Sequence, residues 1–454
     1  MKLKYLGCAF CLTIMAACQP AVSQNDNAEH YLELAKQTEQ WLVANSTEPG
    51  KSLWPDAKDE PETIGTSYST GMAGKLTFYL DLYAATEEPA YLEKANAIGN
   101  YLLGHLAQKT DSLKGKFWAF SAYGSVCGPA FALTELYKAT GNEAYKQGAA
   151  SVVEVLHHFA DHKQDTLSWD LGNDVLGGLS GTALFLLYAY KELDIPRALD
   201  MASKAGNTLL SRATKEPDGG LSWRRGQGSK YILPNFSHGP AGMAYFLLEL
   251  YEATGDERFL KGAQGAIRYL DSIAKTDFGT YLLPYGFPDP GWSRAYDIGW
   301  AHGPAGVGRL FVKMHQLTNE AQWLEKAEAC YRGILSASPF EAPPTEFGSE
   351  PFTIDQRFGI AGVTSFVQDL YRYTGKETYL AFSKASVAHI MSKAKVEDGI
   401  SWPIERFGFM TNAGAETTFT GFFYGSTGFG TVLLEQYNIM SGKEKGVRFV
   451  DDPF

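Results

Sequence analysis

Two histidines and two aspartates stand at matching places along this chain. His238 and His302 each directly precede Gly-Pro-Ala-Gly, and Asp174 and Asp355 each stand seven residues before a glycine, Gly181 and Gly362, that opens an apolar run. Imidazole takes up and returns protons near neutral pH and can ligate metals, and a carboxylate beside it serves as acid, base or orienting partner. Each residue also has a structural use. An aspartate caps free helix amides, a histidine bonds a loop carbonyl, and Asp355 makes a local charge pair with Arg357 two residues on.

The elements that must position these groups come from an internal repeat. Gly74, Gly128, Gly181, Gly242, Gly306, Gly362 and Gly428 recur at about 59 residues, enough for two helices and two loops. In six repeats a second Gly stands three residues earlier, as in GMAG, GLSG and GPAG; the second repeat has Ser125 there. Nine residues after each glycine comes a ring: Tyr83, Tyr137, Tyr190, Tyr251, His315, Tyr371 and Tyr437. Twelve residues after it, five repeats have Thr86, Thr140, Thr254, Thr318 and Thr374. In three of these a Gly follows, where a helix ends in the left-handed conformation. Each unit is therefore an inner helix, apolar nearly all round, joined to a longer outer helix with one apolar stripe. The spacing predicts an all-α fold: an α/α toroid, a double ring of seven helical hairpins, over residues 30–443. Gly at the start of each inner helix is expected to let neighbouring backbones approach.

Positions four before the repeat glycine should form the lip of that ring: Thr70, Gly124, Gly177, His238, His302, Phe358 and Tyr424. Convergent polar groups and rings at a concave end are a binding-site signature. Between units lie KSLW, TLSW, GLSW and GISW, expected as short β-turns or hairpins at one end of the ring. Their Trp54, Trp169, Trp223 and Trp402 plug the turns onto the ring or offer apolar platforms to a ligand. Residues 276–300, dense in Gly, Pro and aromatics, have the character of a loop covering the pocket.

The N-terminus reads as an export signal over residues 1–17. Lys2 and Lys4 precede an apolar run too short to span a bilayer, and Met15-Ala16-Ala17-Cys18 is similar to a bacterial lipobox, with Cys18 as the lipidated residue. Residues 18–29 have a tether's polar composition, and 444–454 form a C-terminal tail. The expected location is the bacterial cell envelope, at the outer membrane, as an exported, lipid-anchored monomer. The net charge is −11 and becomes −13 without Lys2 and Lys4, a surface that repels nucleic acid. Beyond the signal and Cys18 only Cys127 and Cys330 remain, expected as two separate buried thiols.

The chain resembles the lanthionine synthetase C-like (LanC-like) family over about residues 60 to 440. The resemblance is carried by the seven repeat glycines, six of them in GxxG, by Asn173-Asp174-Val175-Leu176-Gly177-Gly178-Leu179-Ser180-Gly181, and by Ser237-His238-Gly239. It implies that Asp174 and His238 move protons, as their counterparts do around a zinc-bound thiolate in lanthionine cyclases. It also implies a zinc site from Trp-Cys-x-Gly in the fifth repeat and Cys-His-Gly in the sixth. Here those read Trp300-Ala301-His302-Gly303 and Arg357-Phe358-Gly359, so Ala301, Arg357 and Phe358 replace all three ligands. No cofactor is expected, because thiol activation needs a soft Lewis acid that these residues cannot hold.

The expected catalytic residues are Asp174, His238, His302 and Asp355. The expected ligand contacts are Asp297, Arg357, Phe358, Tyr424, Trp169 and Trp300. Three readings stand: zinc-independent acid–base work on a peptide-like ligand, a glycoside hydrolase or lyase using Asp174 with Asp355, and a non-catalytic binding module for a peptide or oligosaccharide.

Overall fold

The computed structural model describes residues 27–47, 52–107, 113, 115–169, 172–224, 230–291 and 294–453. The export signal, Cys18 and most of the tether lie outside them. Among the described residues there are fourteen α-helices. Seven form the inner ring: α2 (Met72–Thr86), α4 (Cys127–Thr140), α6 (Leu179–Leu193), α8 (Pro240–Thr254), α10 (Pro304–Thr318), α12 (Ile360–Thr374) and α14 (Ser426–Met440). Six outer helices follow the first six of them: α3 (Pro89–Ala107), α5 (Glu143–Phe159), α7 (Pro196–Ser211), α9 (Glu257–Ile273), α11 (Ala321–Ser336) and α13 (Glu377–Met391). The seventh outer position is filled from the other end of the chain by α1 (Ala28–Ala44), which packs against α14. Each inner helix touches the next, and α14 returns to α2, so the ring is closed.

The helix types follow from burial. On α8 ten residues are buried, from Pro240 to Leu250, whereas α9 buries a stripe that includes Phe259, Ala263, Ala266 and Leu270. Inner helices α2, α4, α8, α10 and α12 end on left-handed Glu87, Gly141, Gly255, Asn319 and Gly375. The N–H of each reaches the carbonyl of the ring residue nine after the repeat glycine, at 2.7–2.8 Å. The five threonines complete the same turns, with Thr254 Oγ1 donating to the Leu250 carbonyl at 2.6 Å and accepting from Asp256 N–H at 3.2 Å.

The repeat glycines answer two close approaches, the expected one of a neighbouring backbone at Gly128, where a Cβ would lie 2.7 Å from Tyr68 N, and a second within the chain itself. A Cβ on Gly181 would lie 1.9 Å from the Val175 carbonyl oxygen, and one on Gly428 1.9 Å from that of Phe422. The obstructing carbonyl belongs to the chain's own entry loop, six residues earlier, rather than to a neighbouring helix. The loop doubles back over the helix start, and only a residue without Cβ lets it.

Among the described residues there are four two-residue hairpins: β1 (Asp161–His162) with β2 (Leu167–Ser168), β3 (Thr214–Lys215) with β4 (Leu221–Ser222), β5 (Lys395–Val396) with β6 (Ile400–Ser401), and β7 (Ile404–Glu405) with β8 (Glu416–Thr417). Three contain the expected Ser-Trp segments. The tryptophans are plugs: Trp54, Trp169, Trp223 and Trp402 are fully buried, and each indole N–H donates to a carbonyl near the end of an outer helix, Leu42, Leu156, Leu209 and Ile390, at 2.6–3.0 Å. Trp169 is therefore withdrawn as a ligand contact, because both its face and its donor are used in packing. Cys127 and Cys330 are separate buried thiols, as expected.

The tail following α14 packs inside the ring. Phe449 stacks on Tyr68 at 4.0 Å between centroids and meets Phe131 at 4.8 Å, while the Val447 N–H donates to Asp81 at 2.7 Å. Lys445 pairs with Asp369 and Asp452, and Arg309 Nη1 donates to the Asp451 carbonyl at 3.1 Å. The tail thus fills the lumen behind the lip. No helix among the described residues is long and apolar enough to cross a membrane.

Candidate functional site

The lip is built first as backbone. Ser237 N–H donates to the Ala301 carbonyl at 3.1 Å, Ala301 N–H to that of Arg357 at 2.8 Å, Gln356 to Phe423 at 2.9 Å, and Phe423 to Ser69 at 2.7 Å. Ser69 then reaches Tyr123 at 3.4 Å, Ala122 reaches Gly181 at 3.3 Å, and Val175 returns to Ser237 at 3.2 Å. Every repeat is thereby bonded to the next around the whole ring. Since the circuit uses only main-chain groups, it leaves the lip side chains to vary.

In the third, fourth and sixth entry loops a short polar side chain sets the lip residue's position. Asp174 Oδ1 accepts from Gly177 N–H at 2.8 Å, Asn235 Oδ1 from His238 N–H at 3.0 Å, and Asp355 Oδ1 from Phe358 N–H at 2.8 Å. At Asp174 the second oxygen meets an imidazole. His238 Nδ1 lies 3.2 Å from Asp174 Oδ2, and the two side chains are only 15% and 18% exposed. This joins the third and fourth repeats in a carboxylate–imidazole pair at the pocket wall.

Asp355 differs. Its Oδ1 accepts from Arg357 N–H as well, at 2.8 Å, its Oδ2 accepts from the Thr353 hydroxyl, and the residue is fully buried. Burial raises its pKa against the lowering effect of those hydrogen bonds and of Arg357. The expectation that Asp355 is a catalytic acid is corrected: its oxygens hold the loop. Asp297 is also buried, accepting from its neighbour Ile298 N–H at 2.7 Å and pairing with Arg294 at 3.5 Å. It braces the fifth entry loop, and the expected ligand contact is corrected likewise.

The rings of repeats four to seven form an arc. Centroids of His238 and His302 are 5.6 Å apart, those of His302 and Phe358 5.6 Å, and those of Phe358 and Tyr424 6.5 Å. His302 is 5% exposed and is covered by Tyr285, 4.3 Å away, so the loop of residues 276–300 does reach over the site there. Arg357 lies over the Phe358 face at 4.6 Å, and its Nη1 donates to the Tyr424 hydroxyl at 2.6 Å. Burial pushes the Tyr424 phenol up to about 12, with Arg357 opposing. Trp300 is beneath the floor, its indole donating to Asp451 of the tail at 2.7 Å while Tyr123 and Phe423 crowd its ring at 5.1 and 5.4 Å. Its expected role as a ligand contact is corrected to that of a floor residue.

The positions that the resemblance marks for zinc do not fit a metal. Ala301 is buried and offers only a methyl group, Phe358 only a ring, and Arg357 a cation that repels another. Among the described residues, no three His, Cys, Asp or Glu side chains come together in a way that could hold one.

Sequence reasoning missed Tyr285, Phe407 and Phe409. Phe407 meets Phe358 at 5.2 Å and Tyr424 at 5.2 Å, and Phe409, 64% exposed, stacks on Phe407 at 5.6 Å. Both phenylalanines lie between β7 and β8, outside the repeat register, so no periodic signal marks them.

Comparison with known proteins agrees with this architecture. Nisin cyclase superposes with a TM-score of 0.59 at 17% identity, covering 92% of this chain and 95% of that one. A zebrafish (Danio rerio) protein described as glutathione S-transferase LANCL1 is 21% identical over 279 residues, 59% of this chain; the match spans 64% of that relative's length. An α-1,6-mannanase of a Salegentibacter species superposes at a TM-score of 0.43 with 15% identity, covering 68% of this chain and 87% of its own. The lanthionine synthetase C-like protein family matches residues 62–441, nearly the whole ring, and the chain belongs to that family.

Proposed function

We propose that this chain is an envelope lipoprotein that binds or modifies a peptide-like ligand in the toroid cavity by acid–base chemistry without zinc. The observation that carries the reading is the Asp174–His238 pair, 3.2 Å apart and partly open to solvent. With its Nδ1 proton directed at Asp174, the imidazole keeps Nε2 as the acceptor, so Asp174 fixes the tautomer and stabilises the imidazolium once a ligand proton is taken. His302, beside His238 in the arc, is the second imidazole available to return a proton.

A second reading, an enzyme acting on an oligosaccharide, is favoured by the ring surfaces of Phe358, Phe407 and Phe409. It is weakened by Asp355, whose oxygens are occupied, since glycoside hydrolysis ordinarily needs two working carboxyl groups. A non-catalytic module is the third.

The test is to incubate the protein with envelope peptides and, separately, with oligosaccharides, following products by mass spectrometry. Peptide turnover reduced ~10²–10⁴-fold in both His238→Ala and Asp174→Asn supports the proposal. Turnover of sugars alone favours the second reading; binding with no product in either arm favours the third. Stoichiometric zinc that disappears in His302→Ala would overturn the zinc-free mechanism. The anchor is a separate point: Cys18→Ala should move the protein from the membrane to the soluble fraction, and unchanged fractionation refutes it.

A further inference from the structure

Arg357 stands where the family resemblance marks a zinc ligand. Only Nη1 of its guanidinium has an acceptor among the described residues, the Tyr424 hydroxyl at 2.6 Å. Nε is buried with none. Among the described residues no carboxylate lies within ion-pairing distance; Asp355, two residues away, spends its oxygens on Thr353 and on the backbone amides of Arg357 and Phe358. What surrounds the cation is aromatic: Phe358 at 4.6 Å, Phe409 at 5.5 Å and Phe423 at 5.9 Å. Ring faces favour a cation but do not neutralise it or accept its remaining N–H bonds.

A guanidinium without a counter-ion at the pocket wall of a chain with net charge −11 needs a reason. Elsewhere in this protein buried arginines are paired, Arg309 with Asp451 and Arg406 with Asp59 and Glu60. Resting on the reading of the lip as a ligand site, we infer that Arg357 is the docking point for a ligand carboxylate, received along its Nε–Nη2 edge between Phe358 and Tyr424. That edge presents two parallel N–H groups matched to two carboxylate oxygens. Phe409, largely exposed on the β7–β8 hairpin, is the neighbour free to give way. The chain thus puts a fixed cation where the family resemblance puts a metal, and recognises an anion in place of activating a thiol. An anchored carboxylate lays the adjoining part of the ligand over Phe358, toward His302 and the Asp174–His238 pair.

Two sources supply such a group, a peptide C-terminus and a uronic acid, and calorimetric titration of the detergent-solubilised full chain separates them. The probes are N-acetylphenylalanine against its amide, and glucuronate against glucose. At least tenfold tighter binding of the acid within one pair is expected, and that pair identifies the source. Arg357→Gln should bring the ratio close to one, and Arg357→Lys should lower it several-fold, since an ammonium lacks the two-pronged edge. The lysine variant decides the matter if the glutamine variant does not fold. No acid preference in either pair, or a preference unchanged in these variants, overturns the inference. The preference should survive His238→Ala, whereas turnover should not, so failure of the acid–base reading is distinguishable from failure of this one.

Discussion

The two ends of the ring use charge in opposite ways. At the lip, Asp174 and His238 remain partly exposed and Arg357 lacks a counter-ion, so charge is displayed to whatever enters. Behind the lip, toward the far end, Asp81, Asp369, Glu435 and Asp451 are buried beside Arg309, Arg372 and Lys445, and the C-terminal tail packs against them. The lip loops are held by main-chain bonds around the circle, whereas the far end is held by side chains from particular repeats. One end can therefore change its chemistry without losing its shape, and the other cannot. The replacement of all three zinc-ligand positions by Ala301, Arg357 and Phe358, with the circuit still passing through Ala301 and Arg357, is an instance of the first.

The sharpest way to break this contrast is Lys445→Met. The buried Asp369 loses its ion pair, and breaking a buried pair costs about 3–5 kcal/mol. Chemical denaturation should show that loss at pH 8 and a smaller one at pH 5, where the carboxyls can be protonated. A loss below 1 kcal/mol at pH 8 would mean that the tail is not held by this cluster.

The same cluster sets a pH dependence. Burial raises Asp81 to about 8, against the lowering effect of the Val447 N–H, and raises Asp369 to about 7, against Lys445. A carboxyl whose folded pKa lies above its unfolded value near 3.8 binds its proton better in the folded state. Its stabilising contribution is complete below pH 4 and is lost as the pH rises through 7 and 8. Unfolding free energy should therefore fall across that window, by at most ~1.4 kcal/mol per pH unit for each group. Asp81→Asn should flatten the curve, and a curve identical to that of the unmodified protein would remove Asp81 from the account.

Much of the ring could be read from the sequence because its determinants are local. The glycine that clears the entry loop, the ring residue whose carbonyl accepts the cap, and the threonine beside it all lie within thirteen residues of one another in a repeat. The far end was illegible for the opposite reason. Pairing α1 with α14, or Asp451 with Trp300, joins segments far apart in the chain that share no pattern. The lip lay between these cases. Position predicted which side chains gather there, but Asp174 and Asp355 occupy the same register, and only burial and the identity of the partners, an imidazole at one and loop groups at the other, separate an orienting base partner from a loop brace.

That distinction yields a smaller effect with a clear sign. Asp355→Ala removes the acceptor for two backbone N–H groups and the Thr353 hydroxyl, and should cost about 1–3 kcal/mol in denaturation. Asp355→Asn keeps an acceptor for the amides and should recover most of it. If the asparagine variant were stable yet lost turnover to the extent of Asp174→Asn, Asp355 would be restored as a working acid and the difference between the two aspartates would disappear.

The smallest predicted effect tests whether repeats are interchangeable away from the lip. Thr140 Oγ1 donates to Leu136 at 2.7 Å and accepts from Asn142 N–H at 3.3 Å, the same arrangement that Thr254 makes with Leu250 and Asp256. Valine matches the shape and removes both bonds. Because the turn is near solvent, water replaces part of what is lost, and each of Thr140→Val and Thr254→Val should cost about 0.5–1.5 kcal/mol. The two turns belong to different repeats and share no partner, so the double variant should equal the sum within ~0.5 kcal/mol. Equal and additive losses would show that the hairpin turn is a unit reused around the ring, indifferent to which repeat holds it. Losses that differ by more than 1 kcal/mol would show that even this element depends on its place, and the separation of a uniform scaffold from a differentiated lip would have to be given up.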